Sequence, residues 1–303
     1  MPHTQNRKIA EITKNQHTVF TFSYNNIDVR TCTVVENEEY MKLRFCSLAS
    51  GSSGNCYLVQ TDSTAVVVDA GISGKKIQTG LTEAGAQDIV SGLFLTHEHV
   101  DHVKSVSILA KRLPQISVYA TQGTWEHMEH TVSAGQQKVL AEGDQLTIGD
   151  LEVRVFGLSH DAAQPVGYSF RHQGKQITIV TDTGCYSEEI LREAEDADLL
   201  ILEANHDVDM LRIGKYPWFL KQRVLSDVGH LSNEAAGKCL VELLRRKEKE
   251  RRVYLAHLSR ENNFPEMAYQ TVKNILEDAD YYIGNQVQLI TLRRDGISGM
   301  CEI

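Results

Sequence analysis

The chain is short of the features that mark secreted or membrane proteins. Its six cysteines, at 32, 46, 56, 185, 239 and 301, include no C-x-x-C pair. A disulfide scaffold is therefore not expected, and reduced thiols in a cytoplasmic protein are the simpler reading. No stretch reaches the roughly eighteen consecutive apolar residues of a membrane span. The opening segment, MPHTQNRKIA, lacks the apolar core of a signal peptide. Positive charge is in deficit as well: 31 Lys and Arg face 40 Asp and Glu, for a net −9. That argues against a non-specific nucleic-acid coat. Internal repeats and low-complexity tracts are also missing.

What the chain does have is apolar material and unevenly placed charge. Over 303 residues, 42% are hydrophobic, enough for one large domain or two ordinary ones. Between Ala204 and Arg260 twelve Lys and Arg stand against seven Asp and Glu. Part of that excess is RRKEKERR at 245–252, which reads as a solvated helix end. GKYPWFLKQR at 214–223 interleaves Lys215, Lys221 and Arg223 with Tyr216, Trp218 and Phe219. Two readings stand for it: a groove that tracks a nucleic-acid backbone and stacks its bases, or an amphipathic helix with its Trp in the core.

Residues 1–40 are polar, with two short strand candidates in VFTFSY and VRTCTVV. They read as an N-terminal extension, either a small added hairpin or a segment upstream of the natural start. A compact domain opens at Met41, where MKLRFCSLASGSSGNCYLVQ reads as strand, glycine-serine loop, strand, and runs to 303. Strands are expected at 56–60, 65–69, 90–96, 116–120, 151–157, 166–170, 176–181, 198–202 and 252–256. Helices are expected at 73–85, 102–112, 123–133, 185–195, 215–225 and 232–249. Hairpins come first and strand–helix alternation follows, which predicts a layered α/β domain with the sheets inside.

The most informative segment is LTHEHVDH at 95–102. It sets His97, His99, Asp101 and His102 directly after an apolar strand. Imidazole and carboxylate together suit Zn, Mn or Fe. In extended chain His97, His99 and Asp101 share a face, and a turn would bring in His102. Four ligand types in six residues exceed what one tetrahedral ion takes from so short a loop, so two adjacent ions are expected. Three further strands end in a ligand type: His160 after LEVRVFGLS, Asp182 after QITIVT and His257 after RRVYLA. Open α/β folds gather their sites at such ends.

The order HEHVDH, SH at 159–160, TDTG at 181–184 and AHLS at 256–259 resembles the metallo-β-lactamase superfamily from about Met41 onward. The resemblance implies an αββα four-layer sandwich with two divalent ions, Zn or Mn. His97, His99 and His160 would hold one ion. Asp101, His102 and His257 would hold the other, with Asp182 bridging and Asp101 counted as catalytic too. The bridging Asp182 points away from true β-lactamases, towards the glyoxalase II and phosphodiesterase branches. Paired ions lower the pKa of a water and supply a metal-bound hydroxide, which leaves the departing oxygen in need of a proton.

His230 follows no strand. It precedes Ser232, a good N-cap, and NEAAGKCLVELLRR, a place that favours an anion such as phosphate. The branch that matures transfer RNA carries a late His before a helix, supported by a strand-end Glu. Here Glu203 in ILEANHD would pair with His230 as a proton-donating dyad. His206 is within reach of the same pocket. The loop SGSSGN at 50–55 adds Ser53 and Asn55 as substrate contacts, with Lys215, Lys221 and Arg223. His127 and His130 read as solvated on the 123–133 helix and His172 as part of a hairpin turn. Neither these nor His3 and His17 receive a role. SLASGSSGNCYLV, LTHEHVDH, SHDAAQPVGY, EANHD, GHLSNE and AHLSRENN together look like the YycJ/WalJ-type family. That implies a 5′ to 3′ DNA exonuclease acting on a single strand or duplex end, with a part in DNA repair. The competing readings are a ribonuclease, a glyoxalase II-like thioesterase and a non-catalytic binding module.

Overall fold

A computed structural model describes residues 42–303 except His130, together with two short strands, β1 (Val19–Phe20) and β2 (Cys32–Thr33), paired antiparallel. The expectation of an extension over 1–40 otherwise falls outside the described residues, as does the one for His130.

In Lys42–Ile303 the strands form two sheets of seven. The first takes β3 (Arg44–Ala49), β4 (Cys56–Gln60), β5 (Ala65–Val68), β6 (Val90–Phe94), β7 (Ser117–Thr121) and β8 (Gln137–Leu140). The second takes β9 (Gln145–Ile148), β10 (Leu151–Gly157), β11 (Val166–His172), β12 (Lys175–Val180), β13 (Leu199–Glu203), β14 (Arg251–Ala256) and β15 (Val287–Thr291). The last strand, β16 (Cys301–Glu302), returns to the first sheet beside β3. Each sheet is antiparallel on one side and parallel on the other, with β5 to β8 and β12 to β15 the parallel runs.

The near-continuous apolar runs of β5, β12 and β13 have a simple cause: both faces of each strand are covered. Val66 and Val68 of β5, Ile177 and Ile179 of β12 and Leu199 and Ile201 of β13 point into one core between the sheets, with Phe45, Tyr57, Phe94, Tyr168 and Phe170. Their neighbours point outward. Ala65 and Val67 meet α1 (Gly74–Glu83), α2 (Val100–Val103) and α3 (Val106–Arg112) through Ile77, Leu81, Val103, Val106 and Leu109, with Trp125 of α4 (Gln122–His127) at the margin. Leu200 and Leu202 meet α5 (Glu188–Ala194), α8 (Asn233–Arg246) and α9 (Pro265–Asp278). Three cores separate four layers, the αββα arrangement. Two helices, α6 (Val208–Ile213) and α7 (Trp218–Val224), stand in the connection from β13 to α8.

Several expectations need correction. The 102–112 helix is two helices broken at Lys104–Ser105, where Ser105 Oγ donates to the Ile72 carbonyl at 2.6 Å. The 123–133 helix stops at His127, because Met128 turns extended; His127 itself is exposed. His172 is the buried last residue of β11, its Nδ1 2.9 Å from the Asp150 carbonyl oxygen, and not a turn residue. RRKEKERR is not simply a solvated helix end. The helix finishes at Arg246, which pairs with Glu188 and Glu242, while Lys247 and Lys249 pair with Asp196 and Asp198. Arg251 opens β14 and is buried, donating to the Ala194 and Lys247 carbonyls. The basic run is thus engaged with the protein's own carboxylates. The strands β8, β9, β15 and β16 and helices α6 and α9 were not expected; β8 and β9 are edge strands with exposed polar faces, which hide their alternation. Cys46, Cys56, Cys185, Cys239 and Cys301 are free thiols, and no described helix is long and apolar enough to cross a membrane.

Candidate metal centre

The carboxyl ends of β5, β6, β10, β12, β13 and β14 open at one edge of the sandwich. Each is followed, within three residues, by a chemically active side chain: Asp69, His97, His160, Asp182 and His257, with Glu203 closing β13 itself. Asp69, Asp182 and His257 have φ of 62°, 63° and 55°. They are three of the five non-glycine residues with positive φ among those described. That region is disfavoured for L-residues and recurs where a site holds a side chain against its backbone preference.

The seven residues expected as ligands come together. His97, His99 and His160 offer nitrogens that lie within 4.8 Å of one another, and so do the ligand atoms of Asp101, His102 and His257. Asp182 stands between the two groups. Its Oδ2 is 3.2 Å from His102 Nε2 and its Oδ1 is 3.8 Å from His160 Nε2. His99 Nδ1 is 3.3 Å from His160 Nε2, and His257 Nε2 is 3.5 Å from Asp101 Oδ2.

The other ring nitrogens are held from behind, which fixes the tautomer and the aim of each ring. His102 Nδ1 donates to Asp69 at 2.7 Å, and Asp69 is held by the Thr96 amide at 2.9 Å. His160 Nδ1 donates to the Gly229 carbonyl at 2.9 Å. His257 Nδ1 donates to Glu203 Oε1 at 2.8 Å, and its amide donates to Ser50 Oγ at 2.9 Å. Gly71 lets the Asp101 segment pass: a Cβ there would lie 1.6 Å from the Asp101 carbonyl oxygen. The sequence reading missed Asp69. Its signal was present, since AVVVD also ends an apolar strand in a carboxylate.

The electrostatics favour a cation. Burial alone would lower His257, but Asp182, Asp101 and Glu203 outweigh it and raise it to about 10. Burial would raise Asp101 and Asp182; the surrounding imidazoles instead hold both below the usual carboxylate range. His97, by contrast, is pushed down by burial and by its neighbour His102. His97 Nε2 and Asp182 Oδ2 are buried without a hydrogen-bond partner. Such orphans cost about 1–3 kcal/mol each, and a cation between them would satisfy both. Five imidazoles and two carboxylates are a donor set that fits divalent metal.

His230 stands beside this set. Its Nδ1 is 2.8 Å from Glu203 Oε1 and its ring centroid is 4.9 Å from that of His160. Glu203 was expected to support His230 alone. It serves both His230 and His257, and its Oε2 accepts the Thr183 and Leu231 amides. Burial would raise this carboxyl, yet His230 and His257 take it down to about 2.

The expected substrate contacts divide. Lys215 is exposed and Ser53 is exposed on its loop. Arg223 pairs with Asp161, the neighbour of His160. Asn55 is fully buried: its Oδ1 accepts the Gly51 amide and its Nδ2 lies 3.0 Å from His102 Nε2, so it braces the centre from inside. Lys221 is buried and spends its ammonium on the Arg212 carbonyl at 2.7 Å, so it is no surface contact. His206 is buried, with neither ring nitrogen partnered.

Comparison with known proteins agrees with this geometry. The family model of a beta-lactamase superfamily domain matches residues 64–258. Exodeoxyribonuclease YycJ of Bacillus anthracis is 40% identical over 253 residues, which is 82% of this chain and 95% of that one. Exodeoxyribonuclease WalJ of Streptococcus pneumoniae is 39% identical over 266 residues, 86% of this chain and 98% of that one. The crystal structure of the metallo-beta-lactamase fold protein YhfI from Bacillus subtilis superposes with a TM-score of 0.66 at 16% identity, over 86% of this chain and 100% of the other, a likeness of fold. With its strand-end His and Asp residues in the family order and its relatives matched nearly end to end, this chain belongs to the metallo-β-lactamase superfamily, in the YycJ/WalJ family.

Proposed function

We propose that the chain is a metal-dependent phosphodiesterase that degrades DNA from a single-stranded or duplex end. The 5′ to 3′ polarity and a part in DNA repair come with the family resemblance. Two divalent ions, Zn or Mn, held by His97, His99 and His160 and by Asp101, His102 and His257 with Asp182 between, would acidify a water and polarise the phosphodiester.

The observation that carries the reading is the His230–Glu203 pair beside that ligand set. With Nδ1 given to Glu203, the free nitrogen of His230 is Nε2. The ring is one-fifth exposed, so it can meet a substrate. The carboxylate on Nδ1 fixes the ring with Nε2 turned outward, and Nε2, when it carries a proton, donates it to the oxygen that leaves phosphorus. An alkoxide leaving group needs that proton; a thiolate leaving group, as in thioester cleavage, does not. His230 also sits two residues before Ser232, the N-cap of α8, where free amides favour a phosphate.

The test is a digestion of end-labelled DNA, RNA and a thioester in parallel, with added Mn or Zn and with a chelator. Metal-dependent release of nucleotides from a DNA end supports the proposal. Thioester turnover with intact DNA would overturn it.

A further inference from the structure

The connection from β13 to α8 leaves the sheet at Glu203 and, three residues before α8 begins, brings His230 back onto that carboxylate, so it spans the two residues of the proton-donating pair. It is tied to the centre at its far end. The His230 amide donates to the Val224 carbonyl at 3.0 Å, Arg223 pairs with Asp161, and His160 donates to the Gly229 carbonyl. Lys221 locks α7 onto α6 through the Arg212 carbonyl. Helix α7 is therefore a fixed rim of the pocket.

That rim carries an unusual surface. Of the thirteen exposed large apolar side chains among the described residues, five lie between 213 and 228: Ile213, Trp218, Phe219, Leu225 and Val228. Trp218 is 66% and Phe219 73% exposed, which removes the reading that this Trp is a core residue. Lys221 and Val224 form the buried face of α7, so Trp218, Phe219, Gln222 and Arg223 lie on the outer one. Phe219 and Arg223 are one turn apart on that face. Lys215 adds an exposed cation just before the helix. From Trp218 to Arg223 the helix rises about 7.5 Å, close to two stacked bases at about 3.4 Å each.

We propose that the outer face of α7 is a platform on which unpaired bases of the DNA end stack against Trp218 and Phe219, while Lys215 and the terminal guanidinium nitrogens of Arg223, whose Nε is given to Asp161, meet the adjoining phosphates. The occupant is single-stranded DNA because flat apolar rings flanked by cations match bases flanked by phosphates, and because α7 is tied through Arg223 to Asp161, the neighbour of the candidate ligand His160. Stacking is indifferent to base identity, which suits an exonuclease. The proposal rests on the nuclease reading above and adds to it where the strand lies and that an unpaired end binds better than a blunt one.

Kinetics and binding test it on the metal-loaded, full-length protein. Trp218→Ala, Phe219→Ala and the double variant are compared with the natural chain on a single-stranded oligonucleotide, a blunt duplex and bis(p-nitrophenyl) phosphate, which is too small to reach the platform. One stack lost should raise KM for the single strand roughly 5- to 150-fold, with kcat within about twofold and bis(p-nitrophenyl) phosphate turnover unchanged. In a Trp125→Phe background Trp218 is the sole indole, and phosphorothioate oligothymidylate should quench it saturably. An unchanged KM in the double variant, or no quenching while DNA is still cleaved, overturns the platform and leaves the nuclease reading intact. Quenching without any DNA cleavage supports the platform and sinks that reading instead. A dimer in sedimentation that Trp218→Ala dissociates would assign the face to a second copy and overturn the proposal.

Discussion

His230 and His257 lean on the same oxygen atom: Nδ1 of each lies 2.8 Å from Oε1 of Glu203. In the proposed mechanism that one carboxylate would orient one imidazole for proton transfer and another for metal. Glu203→Ala should weaken both functions. Carboxylates behind a metal-bound histidine are worth about 10- to 100-fold in metal affinity or activity. Metal content per chain after dialysis, with kcat on DNA, checks this. Full metal occupancy in Glu203→Ala would confine its role to His230.

His230→Ala should keep its metal and lose turnover on DNA by about 10²- to 10⁴-fold. The loss should shrink with a p-nitrophenyl phosphodiester, whose phenolate departs without a proton. Equal losses on the two substrates would remove His230 from leaving-group protonation.

His97→Ala should lose metal and activity together, since its Nε2 has no other buried partner. Asp69→Ala should act more softly, by freeing the His102 ring that it holds at 2.7 Å. Metal affinity about 10- to 100-fold weaker, with activity restored at high metal concentration, is the expected result. Activity that stays lost at saturating metal would give Asp69 a different task.

His206 makes a prediction about pH. Burial pushes it down to about 4, below the roughly 6.5 of an unfolded chain. The unfolded state therefore binds more protons between those values, and stability rises with pH across that window. The contribution is complete above about 6.5 and fades as pH falls towards 4. Denaturant unfolding of the chelated protein at pH 4.5 and pH 7 should show a smaller difference in His206→Leu than in the natural chain. Identical pH differences in the two proteins would mean that His206 titrates normally.

Much of this candidate centre is legible along the chain because each segment that carries expected ligands follows directly on an apolar strand. LTHEHVDH, GLSH, ITIVTD and VYLAH each read as buried strand followed by polar ligand type, and the structure brings those residues to one edge. The same rule would have found Asp69. It fails for Lys221 and Asn55, whose types suggest contact with substrate but whose side chains face inward. Burial depends on which side of a helix or loop meets the rest of the fold, and a seven-residue helix with aromatics on one face and a lysine on the other does not announce that. RRKEKERR misleads for a related reason: its partners, Glu188, Asp196 and Asp198, lie some fifty residues away in sequence.

His230 and His257 each begin a His-Leu-Ser tripeptide, at 230–232 and 257–259, in different local settings. Local order alone distinguishes them: one follows a strand, the other precedes a helix N-cap, and short-range patterns of burial and capping suffice for that. That both rest on Glu203 is a product of sheet register. β13 and β14 pair in parallel with Glu203 opposite Ala256, so His257 emerges one residue beyond the carboxylate. The β13 to α8 connection then carries His230 back to the same oxygen. Register follows from packing two sheets face to face, which no single segment contains.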